Sequence, residues 1–385
     1  MGGNKYTQGT KGSAVRKQGK PDSAPGDLFE AGHDFEHFHN YPDGATGTGV
    51  KARVWAHKKA LDAKSVPLLI YLHGDNGGLR QDFPQLFGPQ PGSQGWLHAG
   101  KLLSPLIDQG KVVPLLLACP SVKVSGGGEL WIPKQFDLSA FVKQVREELA
   151  GNPETASIKI DLDRVAITGH SGAGGKGAVP PEGKQRGRPG HGLNRVLEDR
   201  ARFEVDGEHE LFLFGVMDTR IDDVFGKAIR DGVADNKTTS VYALHRPHGG
   251  WGLKDNHKNL LESQESFCRG LLGDQREEFS LGDDIEKADG LDDLLLTGDV
   301  ESAFPKKGGS GEYSFKPATA KPWCDSAQSP RRISMTVTMD SKKWSAGSGD
   351  WKKIPGAYGE YEGWQHHFDV IALWTLWAAR RFFRA

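Results

Sequence analysis

Cysteine is scarce in this chain: Cys119, Cys268 and Cys324 are the only three in 385 residues. An odd number at wide spacing gives neither a disulfide framework nor a pair of thiols for zinc. An excess of charge of one sign is missing too. The 49 basic and 50 acidic residues nearly cancel, so no global field draws the chain to nucleic acid or to an anionic membrane. No apolar run reaches the ~20 residues that a bilayer crossing requires. The opening "MGGNKYTQGTKGSAVRKQGK" lacks the apolar centre of a secretory leader. These absences make a soluble cytoplasmic protein the default expectation, with export by a leaderless route left open.

Glycine, by contrast, is abundant at 51 residues, and hydrophobic residues make up 37 %, which suggests many loops around an ordinary core. Residues 1–28 are rich in Gly, Ser, Lys and Pro and read as a flexible polar tail, leaving 29–385 as one catalytic-size domain. Strand-like runs then recur. "KARVWAH" (51–57) alternates, whereas "VPLLIYLHG" (66–74) and "VVPLLLACP" (112–120) are continuously apolar, as strands covered on both faces should be. "RVAITG" (164–169), "ELFLFGVMD" (210–218), "TSVYALH" (239–245) and "RISMTVTMD" (332–340) follow. Helical spacing appears at 97–109, at 138–150 through Leu138, Phe141, Val142, Val145 and Leu149, in "LNRVLEDRARF" (193–203), and in the apolar C-terminal stretch. Strands separated by helices imply a mostly parallel sheet with helices on both faces, a three-layer α/β fold. Residues 248–330 have weak periodicity and acidic clusters, and read as a large insertion or lid before the last strand.

One stretch carries chemistry. "RVAITGHSGAGGKG" (164–177) runs from a strand directly into glycines around Ser171. A Walker phosphate loop would need Gly at 170 and a hydroxyl at 177; His170 and Gly177 stand there. A dinucleotide fingerprint would need Gly at 171, which is the serine. A nucleophile elbow fits instead. Its strand-to-helix turn is so sharp that residues two before and two after the serine must be small, and these are Gly169 and Ala173.

On "GHSGA" the chain resembles the α/β-hydrolase superfamily of serine hydrolases, with Ala in the last position of G-x-S-x-G. The strand 66–72 ends in "HGDNGG", similar to the loop with which this superfamily begins its oxyanion hole. The resemblance implies oxyanion donors at Asp75 or Asn76, and at Gly172. It also implies the chain order Ser, acid, His. "GWQHHFDV" precedes the C-terminal helix, so His367 is the expected base, with His366 as alternate. Asp218, closing the strand after the serine, is the expected acid, and Asp340 is its alternate.

The expected activity is therefore hydrolysis of a carboxylic ester, small or polymeric, through an acyl-enzyme, with no cofactor and no metal. An amidase or peptidase of the same fold is the alternative. So is an inactive scaffold used for binding, because Pro180 and Pro181 forbid a regular helix soon after the serine. The basic loop with Lys176, Lys184, Arg186 and Arg188 fits a surface insertion. His245, His248 and His257 do not share a helical face as metal ligands would.

Overall fold

The computed structural model describes residues 16–17, 35–41, 50–72, 99–121, 136–170, 173, 193–217, 223–245, 266–273, 317–325, 330, 332–339, 375 and 378–385. Its strands are β1 (Arg16–Lys17), β2 (Phe35–Tyr41), β3 (Val50–Ala56), β4 (Val66–Leu72), β5 (Leu116–Ser121), β6 (Ile160–His170), β7 (Arg202–Glu204), β8 (Glu208–Glu210), β9 (Leu213–Met217), β10 (Ser240–His245), β11 (Pro317–Asp325) and β12 (Arg332–Met339). Ten of them form one sheet in the order β1-β2-β3-β5-β4-β6-β9-β10-β12-β11, and β7 and β8 make a separate hairpin. From β5 to β12 the strands run parallel. β3 is antiparallel to both neighbours, and β1 and β11 close the edges antiparallel.

A parallel sheet has to be covered on both faces. Helices α1 (Ala99–Asp108), α2 (Leu138–Gly151), α3 (Leu193–Glu198) and α4 (Asp223–Gly232), with helical residues 266–272 and 378–382, cover it. Ile70, Ala118, Ile167 and Val216 share one core cluster with Val145 of α2, Val196 of α3, Ile229 of α4 and Leu271. The alternate strand positions, among them Trp55, Leu69, Leu117, Ala166 and Leu213, are equally buried but lie outside that cluster, as do Leu103 of α1 and Ala378, Ala379 and Phe383. On this second face α1 rides on Trp55, since a Cβ on Gly100 would stand 2.5 Å from the indole.

Chain direction explains the partition. The chain steps from β4 to β5, then back past β4 to β6 and onward to β9, β10 and β12. Right-handed crossovers put helices of opposite steps on opposite faces, so α1 lies across the sheet from α2, α3 and α4. The result is the three-layer, mostly parallel α/β-hydrolase-like architecture expected above.

Local chemistry sets the element ends. Asp137 caps α2 by accepting from Ala140 N–H at 2.9 Å. α1 ends in a Schellman motif: Lys111 N–H bonds Leu106 O and Gly110 N–H bonds Ile107 O, with Gly110 at φ +68°. The helix expected over 193–203 stops at Glu198. Arg200 and Ala201 adopt φ 56° and 51°, and their N–H groups bond Leu197 O and Val196 O, so the same motif ends α3 before β7 begins. Val112 bridges Arg384 instead of joining β5, which is why that strand starts later than its apolar run.

Within the range read as an insertion, 266–272 is a helix that packs Phe267, Cys268 and Leu271 into the core cluster, and β11 pairs along β12. Within the range read as a tail, β1 pairs with β2. The remainder of both ranges lies outside the described residues. Among the described residues no helix is long and apolar enough to cross a membrane.

Candidate active site

Ser171, Gly172, Asp75, Asn76, Asp218, Asp340, His366 and His367 lie outside the described residues, as do the side chains of His245, His248 and His257. β4, β6 and β9 are adjacent and their carboxyl ends come level: Leu72 pairs with Gly169, and His170 with Met217. The next residues in sequence are His73, Ser171 and Asp218. After β4 the chain departs to α1 on one face, and after β6 to α3 on the other. In an open α/β sheet, such a divergence leaves a crevice beyond the carboxyl ends where ligands bind.

The end of β6 shows why its residues are small. A Cβ on Gly169 would lie 2.6 Å from Leu193 Cδ1, 2.8 Å from Leu193 Cγ and 3.4 Å from the carbonyl carbon of Ala173. Four extended residues would span about 13 Å, so the chain bends sharply between Gly169 and Ala173. Ala173 is itself buried, at 4 % exposure, and belongs to the core cluster. A larger side chain at either position would have to displace α3 or the bend.

His170, between that glycine and the serine, is fully buried. Strand alternation puts it on the face of α1 and the C-terminal helix, together with Tyr71, Thr168 and Tyr242. Burial pushes the Tyr71 phenol well above the ordinary tyrosine range, with a contribution from Cys119, and burial does the same to Tyr242. Both stay neutral phenols. This buried polar group was not singled out from the sequence; the signal was a Tyr, Thr and His at alternate positions inside runs otherwise apolar.

The C-terminal helix is anchored at the opposite end of β6. Val113 N–H bonds Phe383 O at 2.8 Å. The Arg164 guanidinium sits over the Phe212 and Phe383 rings at 5.8 and 5.6 Å and donates to Phe382 O at 3.2 Å. Thr375, Ala378, Ala379 and Phe383 form its buried stripe. A groove of about 500 Å³ between α3 and α4 is lined by Leu197, Glu198, Arg200, Ala228 and Asp235. It lies where those helices end, away from the carboxyl ends of the strands.

No protein-family model matches the sequence, and no curated protein matches it. Similar solved structures include esterases and other hydrolases. A feruloyl esterase module from Clostridium thermocellum is 14 % identical with a TM-score of 0.37, over 68 % of this chain and 80 % of that one. An S-formylglutathione hydrolase from Agrobacterium tumefaciens is 12 % identical with a TM-score of 0.33, over 65 % and 85 %. An IroE-like serine hydrolase from Shewanella oneidensis is 12 % identical with a TM-score of 0.35, over 61 % and 69 %. The fold assignment rests on the strand order and the two covered faces.

Proposed function

We propose that the chain is a serine hydrolase that cleaves carboxylic esters. The sharp bend between Gly169 and Ala173, at the carboxyl end of β6 and beside the divergence of the crossovers, carries this reading. In a nucleophile elbow, a bend of this kind presents the middle side chain beyond the end of the strand. Ser171 Oγ attacks the acyl carbonyl while His367 accepts its proton, and that proton then goes to the departing alkoxide. A water repeats the sequence on the acyl-enzyme, releasing the acid. N–H groups of Asp75 or Asn76, and of Gly172, stabilise the oxyanion.

Chain order supports the two partners, since His366 and His367 precede the C-terminal helical residues in sequence. Asp218 follows β9, the direct neighbour of β6. Asp340 follows β12, three strands away at about 14 Å, and begins five residues past the level of Met217, which aligns with Leu244 and Met335. The adjacency of β9 to β6 supports Asp218 as the acid.

The test is labelling of the full chain by a fluorophosphonate, with ester turnover measured in parallel. Ser171→Ala should abolish labelling, lower turnover at least about 10³-fold and leave Tm unchanged. A folded Ser171→Ala protein that keeps its turnover would sink the mechanism. Failure of the unmodified chain to label would favour the binding-scaffold reading.

A further inference from the structure

The carboxyl end of α1 meets the connection between β3 and β4 in a knot of polar groups. His57 follows β3 and is 1 % exposed. It caps a short 3-10 turn, Lys58–Leu61, where the Lys59 N–H donates to His57 Nδ1 at 3.2 Å. On the other side of the ring, Nε2 faces Asp108 Oδ1 at 3.4 Å. Lys59 Nζ donates to Ile107 O at 3.2 Å and Asp108 O at 3.1 Å, and lies 3.6 Å from Asp108 Oδ1. Cations belong at a helix carboxyl end, and Lys59 fills that place. From β3 the Trp55 indole stands beside the imidazole, with ring centroids 6.4 Å apart.

The heavy-atom geometry assigns the protonation state of the ring. A nitrogen that accepts an N–H bears no proton, so His57 carries its hydrogen on Nε2 and gives it to Asp108. A second proton would set one donor against another at Nδ1 and place a cation where water does not reach; both costs oppose it. Asp108 favours the cation, but its carboxylate is 48 % exposed and shared with Lys59, so it offsets less. We propose that His57 is an acid-sensitive latch: neutral, it holds the β3–β4 connection to the carboxyl end of α1, and proton uptake releases that hold. The unfolded chain takes the proton near the ordinary histidine value, about 6.5, while the folded chain resists it. The latch therefore contributes its full stability above that value and loses it as pH falls below. α1 buries Ala99 and Leu103, so releasing its carboxyl end loosens the second face of the sheet. The proposal does not rest on the hydrolase reading, because its readout is the stability of the full chain.

The test follows unfolding between about pH 8 and about pH 5, where histidine titrates, beside His57→Asn. That variant keeps an acceptor for the Lys59 N–H and takes up no proton. As pH falls below about 6.5, the unfolding constant of the unmodified chain should rise against that of His57→Asn, by up to about tenfold per pH unit. Parallel profiles overturn the latch. So does a relative gain in stability on acidification, the mark of a histidine held as a cation by Asp108. Asp108→Asn removes the pull on the proton at a half-exposed position, and its acid loss should extend to lower pH than in the unmodified chain. If His57→Asn fails to fold, Asp108→Asn decides alone: a profile matching that of the unmodified chain overturns the latch.

Discussion

Where β9 and β10 begin, side chains are tied to backbone and to one another by specific hydrogen bonds; where β6 ends, the chain carries glycine, alanine and a buried histidine. At the first end Asn236 accepts from Arg202 Nε at 3.0 Å and donates to Arg200 O and Thr239 Oγ1 at 3.0 and 2.9 Å. Thr239 Oγ1 in turn donates to Leu211 O. Glu210 accepts from the N–H groups of Lys237 and Thr238 and from the Thr238 hydroxyl. The second end is held by close approach: Leu193 and Ala173 leave room at 169 for no side chain. The difference teaches a division of labour. Polar ties fix the sheet at one end, while close packing around residues with little or no side chain shapes the other.

That division can be broken by substitution. Gly169→Val drives a branched side chain into Leu193 and Ala173. Turnover should fall about 100-fold, the cost of displacing a catalytic group by about an ångström, with a stability loss of about 1–3 kcal/mol. A Gly169→Val enzyme with unchanged kcat/KM would refute the division. Asn236→Ala should do the converse: a loss of about 2 kcal/mol, because three partners, one of them fully buried, are left wanting, with kcat/KM kept. Denaturant unfolding and steady-state kinetics on one preparation separate the two.

The smallest expected effect is a matter of pH. Burial raises the Glu210 carboxyl, but the Thr238 hydroxyl, the N–H groups of Thr238 and Lys237, and Arg202 outweigh it, so its pKa lies below the ordinary glutamate range. A depressed pKa contributes stability above the unfolded value, about 4.3, and loses it as pH falls through the lower folded value. Glu210→Gln should therefore flatten the acid limb of stability by about 1 kcal/mol and leave neutral-pH turnover alone. Unfolding curves at successive acid pH values check the slope.

The elements that were legible in the sequence are those with an uninterrupted pattern. β4 spans the continuous apolar run 66–72, and α2 buries Leu138, Phe141, Val142, Val145 and Leu149 at helical spacing. The elements missed carry interruptions that only a neighbour explains. α4 contains Gly226 and Gly232 and reads as broken, yet a Cβ at 226 would stand 2.3 Å from Phe267 O, so glycine is what lets the helix at 266–272 pack. β11 contains Pro317 and Pro322, tolerable because it is an edge strand. The β7–β8 hairpin has three residues per strand, too few for a period to show. As for the site, the bend between Gly169 and Ala173 was readable because small residues at fixed offsets are a local requirement. The polar row through Thr168 was not, since its members are about a hundred residues apart in places.

By itself, the sequence determined where strands and helices alternate, and that a serine stands at the end of one strand between residues small enough for a tight turn, because periodicity and steric size act over a few neighbouring positions. Only the tertiary structure decided the strand order, the face each helix covers and the alignment of Tyr71, Thr168, Gly215 and Tyr242 across four strands. Those depend on which distant segments pack side by side, and the direction of each crossover sets that.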